Sequence, residues 1–348
     1  MTVSRVINGE ASVRNSTRES VNRAIEALGY SPNKAARSLA SATQVRIGLL
    51  YANPSSGYLS TVLLGVLEQA RQSDTQIVVV ECEPGGDSLK VIRNMIKAGI
   101  DGILVTPPLA DDPAALKLLK ASNVVAVTMG SQHPEYELSS VSIDDYRAGY
   151  EMTKHIISLG HRRIGFIIGS PEHVSAGLRL HGYRDALEDA GLEVDPSLIA
   201  QGRYSYRSGL EAADRLLNQK QPPTAIFASN DDMAAATVAT AHRYSIEVPE
   251  DLTVCGFDDT QLATTMWPDI TTIRQPISDM SHTSIELLEK AIRAKRGGQA
   301  PDCQHKTLRF KLIKRHSDAP PAARSRPVRK KTAKRKTADG GKGKARAS

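Results

Sequence analysis

From residue 45 onward the chain alternates short apolar runs with longer stretches whose apolar residues recur every three or four positions. The runs at 46–51, 77–82, 102–106, 124–129, 163–168, 225–228 and 252–257 read as strands. The stretches at 59–72, 87–98, 112–121, 146–159, 177–190, 208–217 and 232–244 read as amphipathic helices. Strands alternating with helices build parallel sheets with right-handed crossovers and helices on both faces. An internal echo runs through the pattern: Ile47-Gly48-Leu49-Leu50 opens one set of units and Ile164-Gly165-Phe166-Ile167 opens another. Seven strands exceed one ordinary domain. The expected fold class is therefore α/β, with two doubly wound parallel-sheet lobes facing each other across a cleft.

Ahead of this body the texture is different. Thr2 to Ile7 read as a short helical segment that Asn8-Gly9 stops. Ser16 and Glu19 form an S-x-x-E capping pattern ahead of Val21, Ala24, Ile25 and Leu28, which recur at helical spacing. Gly29 ends that helix, Tyr30-Ser31-Pro32-Asn33 makes a turn, and residues 34–40 are a short run of good helix formers. Past 307–313 the chain turns to Pro, Ala, Ser, Lys and Arg, a composition that buries too little apolar surface to order itself.

Charge separates the same segments. The chain has 348 residues, 45 Lys and Arg against 38 Asp and Glu, and a net charge of +7. Residues 324–348 hold eleven basic residues and one acid, a net of +10, and residues 1–46 a net of +4, which leaves the body at −7. Only the ends suit a polyanion. No apolar run approaches the roughly 18 residues of a membrane span. Met1 leads into polar residues and Arg5 rather than a secretory signal, and Cys82, Cys255 and Cys303 lie far apart, as suits a reduced cytoplasm. Enzyme signatures fail. After Tyr51 the chain reads Ala-Asn-Pro-Ser-Ser-Gly where a dinucleotide fingerprint needs G-x-G-x-x-G, and neither a phosphate loop nor a nucleophile elbow is present. His133, His155, His161 and His173 have no metal spacing and read as surface or capping residues. Neither an enzyme, nor a cofactor, nor a metal is expected.

Several motifs then fall in a telling order. Thr2-Val3-Ser4-Arg5-Val6-Ile7-Asn8-Gly9 resembles the recognition helix of LacI/GalR-type repressors, and Ser16-Thr17-Arg18-Glu19 through Leu28-Gly29-Tyr30-Ser31-Pro32-Asn33 resembles the remainder of that family's head. Ala35-Ala36-Arg37-Ser38-Leu39 is similar to that family's hinge helix. Leu159-Gly160-His161-Arg162-Arg163-Ile164, Ser229-Asn230-Asp231-Asp232, Val254-Cys255-Gly256-Phe257-Asp258-Asp259 and Thr272-Ile273-Arg274-Gln275-Pro276 continue the resemblance to about residue 313. Each motif alone is weak; their joint order is specific. The resemblance implies a partial helix-turn-helix head over 1–30, a hinge helix and linker over 31–46, a periplasmic-binding-protein-like effector and dimerisation body over 47–316, and a basic tail over 317–348. Family members carry a further helix before the recognition helix, and Met1 stands where that recognition helix already runs. The intact look of the remaining head favours a start codon placed late over a chain lacking that helix.

On this resemblance Arg5 reads a guanine edge in the major groove, where its fork matches O6 and N7. Thr2, Ser4, Asn8 and Asn33 serve phosphates or cap helices. Ala36 lies on the minor-groove floor and Leu39 is the wedge that parts a base step; Leu39 packing on the body is the alternative. In doubly wound sheets ligands bind beyond the carboxyl ends of the strands. Arg179, Asn230 and Asp258 there offer bidentate polar groups, Tyr204 an aromatic platform, and Ser175, Gln275 and Tyr58 further contacts for a small sugar. Capping by Asn230 or Asp258, and pairing of Arg179 with Asp258, are the structural alternatives. The first lobe departs from the family's galactoside binders: Met129-Gly130-Ser131 stands where an acidic residue would follow the fourth strand. The expected protein is a cytoplasmic, nucleoid-associated homodimeric repressor of a DNA operator, controlled by a sugar and making no membrane contact. The alternative is a sugar-binding protein without operator binding.

The tail generates a test of its own. Its charge adds sequence-blind affinity, so removing residues 324–348 should flatten the fall of DNA affinity with salt. Anisotropy titrations across a salt series should show that flattening with the same preferred operator; a changed sequence preference would contradict it.

Overall fold

The computed structural model describes residues 6, 14–28, 44–82, 87–131 and 137–322. The chain divides into two units, Met1–Val45 and Arg46–Ser348. Thr2, Ser4, Arg5, Asn8, Asn33, Ala36 and Leu39 lie outside the described residues, as do His133 and the tail from 324. In the first unit helix α1 spans Asn15–Ala27. Its N-cap is Arg14, with no side-chain cap bond, so Ser16 sits inside the helix instead of capping it. Ser16 uses its carbonyl to accept from the Ser20 hydroxyl at 3.0 Å.

The second unit holds two matching sheets. The first lobe runs β1 Arg46–Tyr51, α2 Ser56–Ser73, β2 Gln76–Glu81, α3 Ser88–Lys97, β3 Gly102–Val105, α4 Pro113–Ala121, β4 Val125–Met129 and β5 Ser139–Ile143. After α5 (Asp145–Ser158) the second lobe runs β6 Ile164–Ile168, α6 Val174–Asp189, β7 Ile199–Gln201, α7 Tyr206–Leu217, β8 Ala225–Ala228, α8 Asp231–Arg243, β9 Thr253–Asp258, the short α9 Leu262–Thr265 and β10 Thr271–Arg274. Helix α10, Ile277–Arg296, then packs on the first lobe, and β11 His305–Leu308 and β12 Lys311–Ile313 close one sheet each. The strand orders are β11-β5-β4-β3-β1-β2 and β12-β10-β9-β8-β6-β7. The pairings are parallel except that of β10 with β12. The two sheets repeat one order, and the echoing segments at Ile47 and Ile164 are β1 and β6, in the same place in each.

Central strands are apolar throughout because helices cover both faces. Gly102–Val105 and Ala225–Ala228 are buried at every position, whereas edge strand β2 is exposed or half-buried throughout. In the second lobe Phe166 meets Phe227 edge-on at 5.2 Å and Tyr183 at 4.9 Å. Each such ring contributes roughly 2–3 kcal/mol by leaving water. The Tyr183 hydroxyl, buried with its ring, donates to the Ile164 carbonyl at 2.8 Å.

The expected tail boundary at 317 is corrected. Ser317 is fully buried; its hydroxyl donates to the Val254 carbonyl at 2.5 Å and accepts from the Thr271 amide at 2.9 Å. Asp318 binds His155 at 2.7 Å, and the Ala319 carbonyl meets His161 Nε2 at 2.9 Å. His155 and His161 are therefore buried anchors rather than surface residues, because the segment after β12 needs partners for its polar groups. Burial lowers the His161 imidazole, against the pull of Ala319 and Asp318.

A chain ending at residue 316 should lose about 3 kcal/mol or more of unfolding free energy in urea, since several buried polar groups lose partners worth about 1–3 kcal/mol each. One ending at 322 should retain wild-type stability. Equal stabilities would show that the segment is passive.

Candidate functional site

Thirteen residues surround a cavity of about 30 Å³ between the lobes. Asn53, Ser55, Tyr58, Pro107 and Gly130 come from the first lobe; His173, Ser175, Arg179, Tyr204, Asn230 and Asp258 come from the second. Asp145 and Gln275 sit where the chain crosses between them. All seven side chains expected from the sequence — Tyr58, Ser175, Arg179, Tyr204, Asn230, Asp258 and Gln275 — line this one space. Asp258 is the last residue of β9, and the others follow the carboxyl end of a strand, either in the turn or in the helix beyond it.

Arg179 is the central group, and two close helix approaches place it. A Cβ on Gly149 of α5 would strike the backbone of Arg179, and one on Gly182 of α6 would strike the backbone of Tyr146 and Tyr150. The two helices thus touch along their backbones, which brings Asp145, the first residue of α5, to Arg179. The guanidinium Nε donates to Asp145 Oδ1 at 2.8 Å, Nη2 reaches the same oxygen at 2.8 Å, and Nη1 donates to the Ser229 carbonyl at 2.6 Å. One face lies 3.5 Å from the Phe257 ring centroid. Burial opposes the charge on Arg179, but Asp145, Tyr204 and Asp258 hold the proton on. Burial likewise pushes the Asp145 carboxyl up while Arg179 pulls it down. The expected alternative, Arg179 pairing with Asp258, is replaced by pairing with Asp145.

Asp258 takes a different partner. It ends β9 at φ +107° and accepts from the Gln275 amide at 2.6 Å, so it caps no helix. Burial raises its carboxyl well above the ordinary range; Arg179 opposes this and Asp231 adds to it. Asn230 does cap: Oδ1 accepts from the Met233 amide at 3.0 Å, while Nδ2 donates to the Tyr204 carbonyl at 2.9 Å. That second bond holds Tyr204 in its left-handed conformation, φ +59°. The Tyr204 ring lies 4.9 Å from His173, over Gly169, where any Cβ would collide with it. Its buried hydroxyl has no hydrogen-bond partner among the described residues. Below the cleft Asp231 accepts from the Thr260 amide at 2.7 Å and the Thr272 hydroxyl at 2.7 Å, and burial pushes its carboxyl up to about 7.

Polar contacts cross the cleft among the described residues. The Ser55 hydroxyl donates to Asp232 Oδ2 at 2.6 Å. Asp111, from the turn Leu109–Asp111, accepts from the Val174 amide at 3.0 Å and also from the Ser131 hydroxyl. His173 gives α6 no side-chain cap, so a carboxylate of the opposite lobe supplies the acceptor that a helix N-terminus needs.

Asp145, His173, Asn53, Ser55, Pro107 and Gly130 join the site without having been expected there. Asp145 is hidden by its neighbour: Asp144 caps α5 by accepting from the Arg147 amide at 2.8 Å, so both acids read as a helix start. His173, expected at the surface or in a cap, is buried in the cleft wall. Asn53, Ser55 and Gly130 lie on loops whose small polar character is visible in the sequence. Arg179 and Asp145 are locked into a pair, Asp258 bonds the neutral Gln275 amide, and the remaining donors and acceptors suit the holding of hydroxyls. Among the described residues no cluster of metal-ligating side chains occurs, and no helix is long and apolar enough to cross a membrane.

Comparison with known proteins adds independent findings. The family model for bacterial regulatory proteins of the lacI family matches residues 1–33, and that for a periplasmic binding protein-like domain matches residues 153–317. The chain is 34% identical over 291 residues to catabolite control protein A of Priestia megaterium, covering 83% of this chain and 87% of that one. A solved transcriptional regulator CelR–cellobiose complex superposes with a TM-score of 0.72 at 31% identity, over 90% of this chain and 94% of the other. A lac repressor dimer bound to operator superposes with a TM-score of 0.78 at 27% identity, over 91% and 94%.

His173 gives a pH test. Burial lowers its imidazole from 6.5 to about 4, with Asp111 pulling upward and Arg179 adding to the fall. The unfolded chain binds a proton below 6.5 that the folded protein refuses until about 4. Stability from this residue is whole above 6.5 and falls between 6.5 and 4, at up to about 1.4 kcal/mol per pH unit. His173→Phe keeps the contact with Tyr204 and should remove that share of the slope in urea unfolding at about pH 5 and pH 7. An unchanged difference between the two pH values would show that His173 titrates normally.

Proposed function

The chain belongs to the LacI family of bacterial transcriptional regulators, and on that premise we propose that a neutral carbohydrate held between its lobes controls its binding to a pseudo-palindromic operator. The observation that carries this reading is the state of Arg179. It is the one Lys or Arg among the described residues that line the cleft, and Asp145 and the Ser229 carbonyl already occupy it. Among those residues no uncommitted positive charge is left for a carboxylate or phosphate. An uncharged polyol asks only for donors and acceptors, which Asp258, Gln275, Asn53 and Tyr58 offer, and for a flat face, which Tyr204 offers. The cellobiose in the CelR complex supports this class of ligand.

Arg5 reads bases, Thr2, Ser4, Asn8 and Asn33 contact the backbone, and Ala36 and Leu39 enter the minor groove. Two heads then read two half-sites, which calls for a homodimer. Leu64 and Leu67 on α2, 62% and 52% exposed, and Trp267, 74% exposed, offer apolar surface that a second copy would cover. The sugar acts by favouring one arrangement of the lobes, so its binding and operator binding are coupled through a two-state body.

A panel of neutral mono- and disaccharides should include one that, at a hundred times its dissociation constant, stabilises the protein by about 2.7 kcal/mol in thermal unfolding. That sugar should change operator affinity by roughly 5–150-fold in gel shifts. Asp258→Asn, which keeps the shape of the side chain, should weaken the sugar response by about tenfold or more. A panel without effect, or stabilisation by an anionic metabolite instead, would remove the proposal.

A further inference from the structure

The chain enters the two-lobed body at one end and leaves it at the other. Residues at or beyond the carboxyl ends of both sheets line one cleft: Tyr58, Pro107 and Gly130 from the first lobe, Ser175, Asn230 and Asp258 from the second. The parallel strands of each sheet share a direction, so the amino ends of the two sheets lie on opposite sides of that cleft, away from it. Arg46, where the chain arrives from the head, starts β1 at the amino end of the first sheet. Its amide donates to Asp101 Oδ2 at 2.8 Å, and its guanidinium donates to the Ala98 carbonyl at 2.8 Å. Ser317, Asp318 and Ala319 bond at the amino end of the second sheet, and Pro321 lies against the Gly160 turn that leads into β6. Head and tail are thus rooted at opposite ends of the body. At about 3.3 Å per residue, β1 and β6 alone put roughly 36 Å between the two roots, before the cleft is added.

The surface around the tail's root gives its charge no partner of matching size. Arg162, Lys220 and Lys314 are exposed there, ahead of β6, ahead of β8 and after β12, against exposed Glu247, Glu250 and Asp251 ahead of β9. Asp195 is paired with Arg163, and Asp318 with His155. Those exposed charges cancel, whereas residues 324–348 carry eleven Lys and Arg against one Asp. Charge at that density calls for a polyanion, whose counterions it releases on contact. The family of the head supplies the polyanion, DNA. A coil of 26 residues, the number from 323 to 348, spans about 28 Å root-mean-square, less than the way back to Arg46.

We infer that residues 324–348 bind a second DNA duplex, not the one that the heads hold, so that one regulator joins two DNA segments. The tail meets phosphates and reads no bases, so a duplex of any sequence serves. The buried segment 317–319 is the fixed root that holds the tail at the end opposite Arg46. This rests on membership of the family and is independent of which ligand fills the cleft.

The experiment mixes the full chain with beads carrying one duplex and with a fluorescent duplex of unrelated sequence, at about 50 mM salt. It is repeated with a full-length variant whose eleven Lys and Arg between 324 and 348 are changed to Gln, and whose urea midpoint should match the wild type. Per protein bound to the beads, the full chain should capture about tenfold or more of the fluorescent duplex than the variant does. Raising the salt to about 200 mM should abolish that capture, since each phosphate contact contributes to the salt dependence. A full chain that captures no second duplex overturns the inference, because the tail then lies on the first duplex or on the protein's own acids. Equal capture by both chains overturns it as well, because the bridge then comes from the heads or from assembly of the body. So does loss of the variant from the beads, because the tail is then the grip on the first duplex.

Discussion

The buried pair of Arg179 and Asp145 is the contact on which the rest of the cleft depends. Neither charge is tolerable alone: removing one partner of such a pair costs about 3–5 kcal/mol, because the other is left desolvated. The pair exists only because Gly149 and Gly182 let α5 and α6 meet backbone to backbone. Its third bond, to the Ser229 carbonyl, fixes the turn that begins α8, and Asn230 in that turn holds the carbonyl of Tyr204. The Phe257 ring beneath the guanidinium is the residue before Asp258. Four separate segments are therefore oriented by one cation. The cation is committed in doing so, which is the ground for proposing an uncharged ligand.

The interface between the lobes has the opposite character. The contacts that cross it at the cleft are few and polar: Ser55 with Asp232, and Asp111 with the end of α6. Each, accepted by a carboxylate, is worth about 1.5–3 kcal/mol, against the many-fold larger apolar cores within each lobe. On the proposed reading, two stiff bodies joined by a few polar contacts and short crossovers exchange between closed and open arrangements. A ligand that touches both lobes then shifts that balance by its differential affinity alone. The Asp111 contact adds a local consequence, since opening leaves the first turn of the helix carrying Ser175 and Arg179 without its acceptor.

The fold class and the strand ends were legible in the sequence, because apolar periodicity and alternation are direct consequences of burial in a parallel sheet. The seven cleft residues were legible too, because motifs in a known order sit at known strand ends. The parts that stayed hidden did so for physical reasons. Strand β5, Ser-Ser-Val-Ser-Ile, is buried through small hydroxyl residues and carries little apolar signal. The first two turns of helix α10, Ile-Ser-Asp-Met-Ser-His-Thr-Ser, are mostly polar, and Ser281 and Ser284 are buried by bonding back to carbonyls one turn earlier. Asp145 looks like a cap, and only the helix crossing reveals its partner 34 residues away. Residues 317–319 have a tail's composition but a core's hydrogen bonds.

Those last residues explain how the second lobe divides its labour. Ser317, Asp318 and Ala319 bond to Val254, Thr271, Thr253 and His161, and His161 also bonds to Thr224. Every one of these positions lies at the amino end of β6, β8, β9 or β10. Ser175, Arg179, Asn230, Asp258 and Gln275 of the cleft lie at or beyond the carboxyl ends of the same strands, and Tyr204 beyond that of β7. A parallel sheet makes its two ends inequivalent, since all strands point one way and all the loops beyond their carboxyl ends gather on one side. Here the amino ends are stitched together by a segment that the chain delivers last. The carboxyl ends are thereby released from holding the sheet together, and their residues — Tyr204 and Asp258 with positive φ, the buried acids Asp231 and Asp258 — can adopt conformations and environments that cost stability. Strain of this kind persists only where the surrounding structure over-determines it, and here the bonds of Asn230 to Tyr204, of Gln275 to Asp258 and of Thr260 and Thr272 to Asp231 do so.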